Sequence, residues 1–275
     1  MPGLELVAYE TVDELAEAVR RDGFAYMPGV LSTADVAELR QRIDGVEPNP
    51  RANDRREQSI RRGIDPSSGE PTTFYQQVVN MLFNRSAYFL QFLDRSPVAE
   101  VAAAVMGEDC HCISMTGWVT GPGRLDQNFH SDYQPIELPS DVMADPRVEI
   151  PVFTATAHYY LDDLDVALGP TNFIPGSHRA GRKPHDGETS WQGVEGQNIL
   201  CNAGDVVLFR SDVWHRGTAN TSSRIRYLLQ VHYGRRMVVQ KFPPYLEFRF
   251  DPDILAQATS RQRRYLGEHP FSNYD

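Results

Sequence analysis

His130 and Asp132 stand two residues apart in the run Gln127-Asn128-Phe129-His130-Ser131-Asp132-Tyr133, and His215 follows far downstream in Val213-Trp214-His215-Arg216-Gly217. Two imidazoles and one carboxylate form the ligand set that occupies one face of a non-haem Fe(II) and leaves the opposite positions open. On an extended strand, residues two apart project to the same face, so His130 and Asp132 can converge on one ion. His215 must then arrive from another strand. A His-x-Asp pair arises often by chance, so its weight depends on what surrounds it.

Arg226 supplies a reason for an open metal face. Alternation along 225–233 places Arg226, Leu228, Gln230 and His232 on one side and Ile225, Tyr227, Leu229 and Val231 on the other. A buried arginine needs a carboxylate, and its planar fork fits one bidentately. A dicarboxylate co-substrate held beside the metal would be that partner; an exposed strand face is the alternative. Arg224 shares the parity of Arg226 and is the next choice.

The elements that must position these residues are legible in part. Thr11-Val12-Asp13-Glu14 has the form of a capping box, and Leu15 and Val19 continue an apolar stripe that should stop near Gly23. Residues 24–27 read as a short strand, and Ser32 with Asp35 opens a helix carrying Val36, Leu39 and Ile43 on one face. The stretch 47–71 is polar and rich in Pro and Gly. With Arg55, Arg56, Arg61 and Arg62 it is either a solvated loop or a flap that brings an arginine to an anionic substrate. Helices are predicted over 73–92 and 98–106.

After Asp109 the pattern changes to period two. Residues 111–120, 126–133, 154–161, 198–201, 206–209, 213–215 and 225–233 read as strands, separated by turn signals such as Gly121-Pro122-Gly123 and Ala203-Gly204-Asp205. The prediction is a mainly β fold with α: a jelly-roll core over 110–237, mostly helical support over 1–109, and a C-terminal extension over 238–275, all in one domain. Two excursions, 135–151 and 179–196, are too long for plain hairpin turns and are candidate lids.

Composition narrows the class. The 275 residues carry a formal net charge of −10, which leaves no basic surplus to neutralise phosphates and argues against nucleic acid as partner. Cys110, Cys112 and Cys201 cannot make a disulfide framework, and no second cysteine pair completes a tetrahedral zinc set around Cys110-His111-Cys112. Met1-Pro2-Gly3-Leu4-Glu5 lacks the basic and apolar regions of a signal peptide. No apolar run approaches the roughly 20 residues of a membrane span. A cytoplasmic protein that takes a small-molecule substrate, with no membrane partner, is the expectation. The oligomeric state is not legible.

Several further motifs are shared with one family. They are Asp22-Gly23-Phe24 with Pro28-Gly29-Val30-Leu31-Ser32, the Gln127, His130 and Asp132 pattern, and Tyr160-Leu161-Asp162-Asp163. They continue with Pro175-Gly176-Ser177-His178, Gly204-Asp205-Val206, and His215 with Asn220 and Arg226. Over nearly its whole length the chain resembles the phytanoyl-CoA hydroxylase-like Fe(II)/2-oxoglutarate dioxygenases, whose core is a cupin-like double-stranded β-helix. The resemblance implies that His130, Asp132 and His215 hold Fe(II) and that Arg226, eleven residues after the distal histidine, pairs with the distal carboxylate of 2-oxoglutarate. Gln127 matches a position near the co-substrate, although its strand parity is opposite to that of His130. Thr171 and Thr218 could donate a hydroxyl to the co-substrate; threonines in turns are also commonly structural, as is His178 in its Pro-Gly-Ser-His turn.

The implied reaction consumes O₂ and 2-oxoglutarate, releases succinate and CO₂, and most simply hydroxylates the substrate. Related halogenases replace the carboxylate ligand with a small residue, so Asp132 disfavours halogenation. Desaturation, epoxidation, ring closure and oxidation to a ketone remain alternative outcomes. His158, Tyr133, Tyr160, Trp118 and Trp191 are candidate pocket walls, with His158 the preferred substrate-facing residue. The tail Gly267-Glu268-His269-Pro270-Phe271 resembles that of family members that tailor natural products, which points to secondary metabolism over acyl-CoA. A cupin-like metal or ligand-binding protein without oxygen chemistry, and a hydroxylase of protein or nucleic acid, are the competing classes.

Overall fold

Thr11 and Ser32 start the first two helices through reciprocal caps. The Thr11 hydroxyl accepts from the Glu14 N–H while the Glu14 carboxylate accepts from the Thr11 N–H, and Ser32 and Asp35 repeat the pattern. In the computed structural model, which describes residues 6–46, 60–64, 69–242 and 248–270, these caps open α1 (Val12–Asp22) and α2 (Thr33–Asp44). Strand β1 (Phe24–Met27) lies between them. Gly23 ends α1 at φ 95°, where a Cβ would stand 2.6 Å from the Val213 side chain, so both its conformation and its neighbour demand glycine.

Two strands follow, β2 (Ile60–Ile64) and β3 (Pro71–Asn80), then 3₁₀ turns at Leu82–Asn84 and Ala87–Phe92, and α3 (Val98–Met106). Strand β4 (His111–Thr120) precedes α4 (Ser140–Met143), β5 (Thr154–Tyr160) and β6 (Thr171–Phe173). The short strands β7 (Ser190–Trp191), β8 (Val194–Glu195) and β9 (Gln197–Asn198) lead to β10 (Val206–Arg210), β11 (His215–Gly217) and β12 (Arg226–Gly234). Helices α5 (Pro252–Leu255) and α6 (Ser260–Tyr265) close the sequence of elements.

The antiparallel sheet β1-β10-β5-β12-β4-β3-β2 faces a smaller sheet, β11-β6-β9. Their inner side chains, among them Phe24, Tyr160, Phe173, Ile199, Phe209 and Leu228, form one apolar cluster that closes the jelly roll at one end. The outer face of the large sheet carries the alternate residues. Ala157 and Tyr159 of β5, Leu229, Val231 and Tyr233 of β12, and Met115 and Val119 of β4 pack under α1, α2 and α3. Period two thus sorts each long strand into a helix-facing apolar side and an inward side that becomes polar near the open end. No helix among the described residues is long and apolar enough to cross a membrane.

Six expectations are corrected. Residues 73–92 form β3 and two 3₁₀ turns rather than a helix. Thr72, Thr73, Phe74, Tyr75, Val78 and Val79 are β-formers, and β3 pairs with the free edge of β4 from Gln76↔Thr120 to Asn80↔Thr116. Consequently the first 109 residues, expected to be mostly helical support, also contribute three strands to the large sheet. Part of the predicted 47–71 loop is β2, paired with β3; Arg55 and Arg56 lie outside the described residues. Residues 126–133 are not a strand, and only an isolated bridge joins His130 to His215. The expected strand 213–215 instead begins at His215 and runs to Gly217, while 198–201 shortens to Gln197–Asn198.

Candidate metal and co-substrate site

His215 opens β11, and the bridge to His130 brings the near half of the triad beside it, with both backbone hydrogen bonds between the two residues at 2.9 Å. Asp132 Oδ1 lies 3.8 Å from His130 Nε2, and Oδ2 lies 3.7 Å from His215 Nε2. Both separations are below the roughly 4 Å that two ordinary metal–ligand bonds span. This is the only such set of three His, Cys, Asp or Glu residues among the described residues. Nδ1 of His130 sits 2.9 Å from Asn128 O, and Nδ1 of His215 sits 3.0 Å from Val213 O. Each carbonyl holds a proton on Nδ1 and turns the Nε2 lone pair toward Asp132, which is the support a metal-binding imidazole requires.

The electrostatics suit a cation. Burial works to raise the Asp132 carboxyl, but the imidazoles of His215, His232, His130 and His158 outweigh it and hold the pKa below its usual range. Burial lowers the pKa of His215 against the pull of Asp132, favouring the neutral ring that a metal needs. Behind it, Phe173 and Phe209 pack on the ring at centroid distances of 5.7 and 4.9 Å.

Arg226 begins β12 and points into the same cavity of about 510 Å³. It is buried, its Nη1 donates to Gly169 O, and its Nε has no partner. Among the described residues no carboxylate forms an ion pair with it. A buried guanidinium in that condition fits the carboxylate of an incoming dicarboxylate. Arg224, by contrast, is half exposed and pairs with Asp165. Thr171 lines the cavity, its hydroxyl accepting from Tyr160 Oη at 3.1 Å. Thr218 is occupied with Pro170 O. Gln127 also lines the cavity: its N–H donates to Gly217 O, and its Oε1 accepts from Gly217 N at 2.9 Å. Because this segment is not a strand, the opposite parity of Gln127 and His130 does not separate them.

The expected pocket walls divide. His158 and Trp118 line the cavity. Tyr160 is fully buried behind Thr171, Tyr133 is exposed, and Trp191 packs on the far side of the triad with Phe129, Ile174 and Trp214. His158 is also less free than expected. Trp118 Nε1 donates to Thr116 Oγ1, which donates to Gln230 Oε1, and the Gln230 amide donates to His158 Nε2 at 2.8 Å. Burial then pushes His158 well below its ordinary pKa, and the ring is held neutral. Gln76, Asn80, Ser114, Thr116, Arg124 and Lys241 also line the cavity and were not anticipated. Gln76 and Asn80 were hidden by the helical reading of 73–92. Arg124 had no signal beyond its place directly after the Gly121-Pro122-Gly123 turn.

A sequence profile of the phytanoyl-CoA dioxygenase family matches residues 19–228. The chain belongs to this family. It is therefore an Fe(II)- and 2-oxoglutarate-dependent enzyme. An uncharacterised protein of Mycobacterium tuberculosis is 23% identical over 266 residues, covering 94% of this chain and 87% of its own. Among solved structures, the fold is similar to that of SnoN, an epimerase crystallised with Fe3+, α-ketoglutarate and nogalamycin RO. That match has 19% identity, a TM-score of 0.59, and coverage of 82% of this chain and 84% of SnoN. HygX from Streptomyces hygroscopicus, solved with nickel, 2-oxoglutarate and hygromycin B, matches with 15% identity and a TM-score of 0.61, over 82% of this chain and 88% of its own.

Proposed function

We propose that this dioxygenase oxidises a small organic metabolite in natural-product biosynthesis, with hydroxylation as the outcome. The observation that carries the reading is one cavity holding His130, Asp132 and His215 beside a buried Arg226 that no carboxylate pairs. In it, His130, Asp132 and His215 ligate Fe(II), and Arg226, supported by Thr171 and Gln127, takes up 2-oxoglutarate. Iron loaded with 2-oxoglutarate and O₂ supplies the capacity to remove a substrate hydrogen, with succinate and CO₂ released.

The chain's own residues orient the partners. The Asn128 and Val213 carbonyls fix the two imidazole tautomers. The inward faces of β3, β4 and β12 interleave Val78, Trp118 and Leu228 with Gln76, Asn80, Ser114, Thr116 and Gln230, a mixed lining rather than an apolar trough, which supports a polar metabolite over a fatty acyl chain. SnoN and HygX, similar in fold, were crystallised with nogalamycin RO and hygromycin B, which supports the natural-product setting. SnoN is an epimerase, so hydrogen removal on this scaffold is compatible with an outcome other than hydroxylation.

The test is thermal unfolding under anaerobic conditions with Fe(II), 2-oxoglutarate, or both, followed by succinate release in air against a panel of polar metabolites. Ligand at a hundredfold excess over Kd stabilises by about 2.7 kcal/mol, which raises Tm by roughly 5 °C in a protein of this size. His130→Ala and Asp132→Ala should abolish the joint shift. Metal binding without succinate formation on any substrate would instead favour a binding protein.

A further inference from the structure

Arg124 is a second buried cation in the cavity. It is 5% exposed, close to the 7% of Arg226, and its Nη1 donates to Thr218 O at 2.9 Å. Among the described residues no carboxylate forms an ion pair with either arginine. Asp126, whose charge acts on Arg124, forms no ion pair with it and accepts the Ala219 N–H at 2.8 Å.

The two guanidinium groups stand on adjoining carbonyls. Arg226 Nη1 donates to Gly169 O, Arg124 Nη1 donates to Thr218 O, and the Cα of Gly169 abuts Thr218 O so closely that a Cβ there would lie 2.7 Å from it. Arg124 lies over Gly217, where a Cβ would come within 2.7 Å of both Nη atoms; glycine at 217 is what lets the fork enter. Gly217 in turn is bonded twice to Gln127 and lies two residues from the ligand His215. Burial and the charge of Arg226 pull Arg124 down to about 9, a cation still at neutral pH but one whose surroundings disfavour its charge. Two like charges buried in one cavity are stable together when an anion sits between them.

We propose that Arg124 and Arg226 form a two-arginine clamp for the distal carboxylate of 2-oxoglutarate, with Arg124 a co-substrate-binding residue in its own right. The clamp rests on the Fe(II)/2-oxoglutarate reading above. It makes recognition of the distal carboxylate stronger than one guanidinium allows and ties it to the loop 123–127 that precedes the metal ligands.

The experiment is a ligand-deletion cycle by anaerobic calorimetry on the Mn(II)-loaded protein. It compares 2-oxoglutarate with 2-oxovalerate, which keeps the metal-chelating end and lacks the distal carboxylate. Arg124→Met should raise the Kd for 2-oxoglutarate about tenfold or more, as loss of a buried charge partner does, while leaving Mn(II) and 2-oxovalerate binding within about twofold. Arg124→Lys, which keeps the charge and one donor but loses the fork, should fall between; it also serves if the Met variant does not fold. Unchanged 2-oxoglutarate affinity, or equal losses for the two ligands, would overturn the clamp and leave Arg124 a support for the Thr218 carbonyl. Failure of the wild-type protein to bind 2-oxoglutarate with Mn(II) would instead overturn the functional reading itself.

Discussion

At the scale of single residues, the inward face of β12 shows how one side chain governs several. Gln230 accepts from Thr116 and donates to His158, so its amide orientation and the tautomer of a ring that shares the cavity with His130, Asp132 and His215 are fixed together. Replacing it removes a partner from two buried groups at once. Gln230→Leu should therefore cost about 1–3 kcal/mol, the penalty of leaving buried polar groups unsatisfied, measured as a lowered urea midpoint with unchanged m. It should also free His158 to reorient, so turnover should fall while Mn(II) affinity holds. A variant as stable as wild type would mean that water replaces the amide.

At the scale of elements, the excursion 179–196 belongs to the site through packing rather than through ligands. Trp214, next to His215, donates its indole N–H to Arg182 O, and the Arg182 guanidinium lies 4.9 Å over the Trp214 ring. Arg182 is held by both oxygens of Glu188, at 2.8 and 2.9 Å. Trp191 of the β7–β8 hairpin covers the same cluster. The Arg182 hydrogen bonds, aided by the His185 N–H, lower the Glu188 pKa from 4.5 to about 2. Its folded value is depressed, so the pair stabilises the protein above the unfolded value and is lost as pH falls from about 4.5 toward about 2. Glu188→Gln should therefore lower Tm at pH 7, and its difference from wild type should shrink steadily across that window. A difference that does not change with pH would show that the pair is screened by solvent.

At the scale of the whole molecule, charge is divided between surface and cavity. The chain carries a net −10, whereas the cavity is lined by Arg61, Arg124, Arg226 and Lys241 against the single carboxylate Asp132. An incoming dianion therefore meets repulsion at long range and attraction at short range. Salt separates the two, because the Debye length falls from about 30 Å at 0.01 M to about 8 Å at 0.15 M and about 3 Å at 1 M. The rate of 2-oxoglutarate association should rise over the first interval, as the distant acidic surface is screened, and fall over the second, as screening reaches the cavity. Stopped-flow mixing under anaerobic conditions measures this. A decline that begins at the lowest salt would mean that the cavity's field dominates at every range.

By itself the sequence determined the chemistry and the long strands of the core, because both are local. The His-x-Asp spacing alone marked His130 and Asp132 as a ligand pair, two-residue alternation put Arg226, Gln230 and His232 on one side of β12, and capping residues alone marked the starts of α1 and α2. Tertiary structure decided what depends on a neighbour. β3 is a strand because β4 offers an unpaired edge, and that choice brought Gln76 and Asn80 into the cavity. The segment around His130 and Asp132 converges through one bridge to His215 rather than through strand geometry of its own. Trp191 and Tyr133, plausible walls by residue type, lie outside the cavity lining, because the path of each loop, and not the side chain it carries, sets where an aromatic lands. Arg124 entered because Gly217, distant in sequence, leaves the space for it. A burial that depends on a residue about 90 positions away has no local pattern to reveal it.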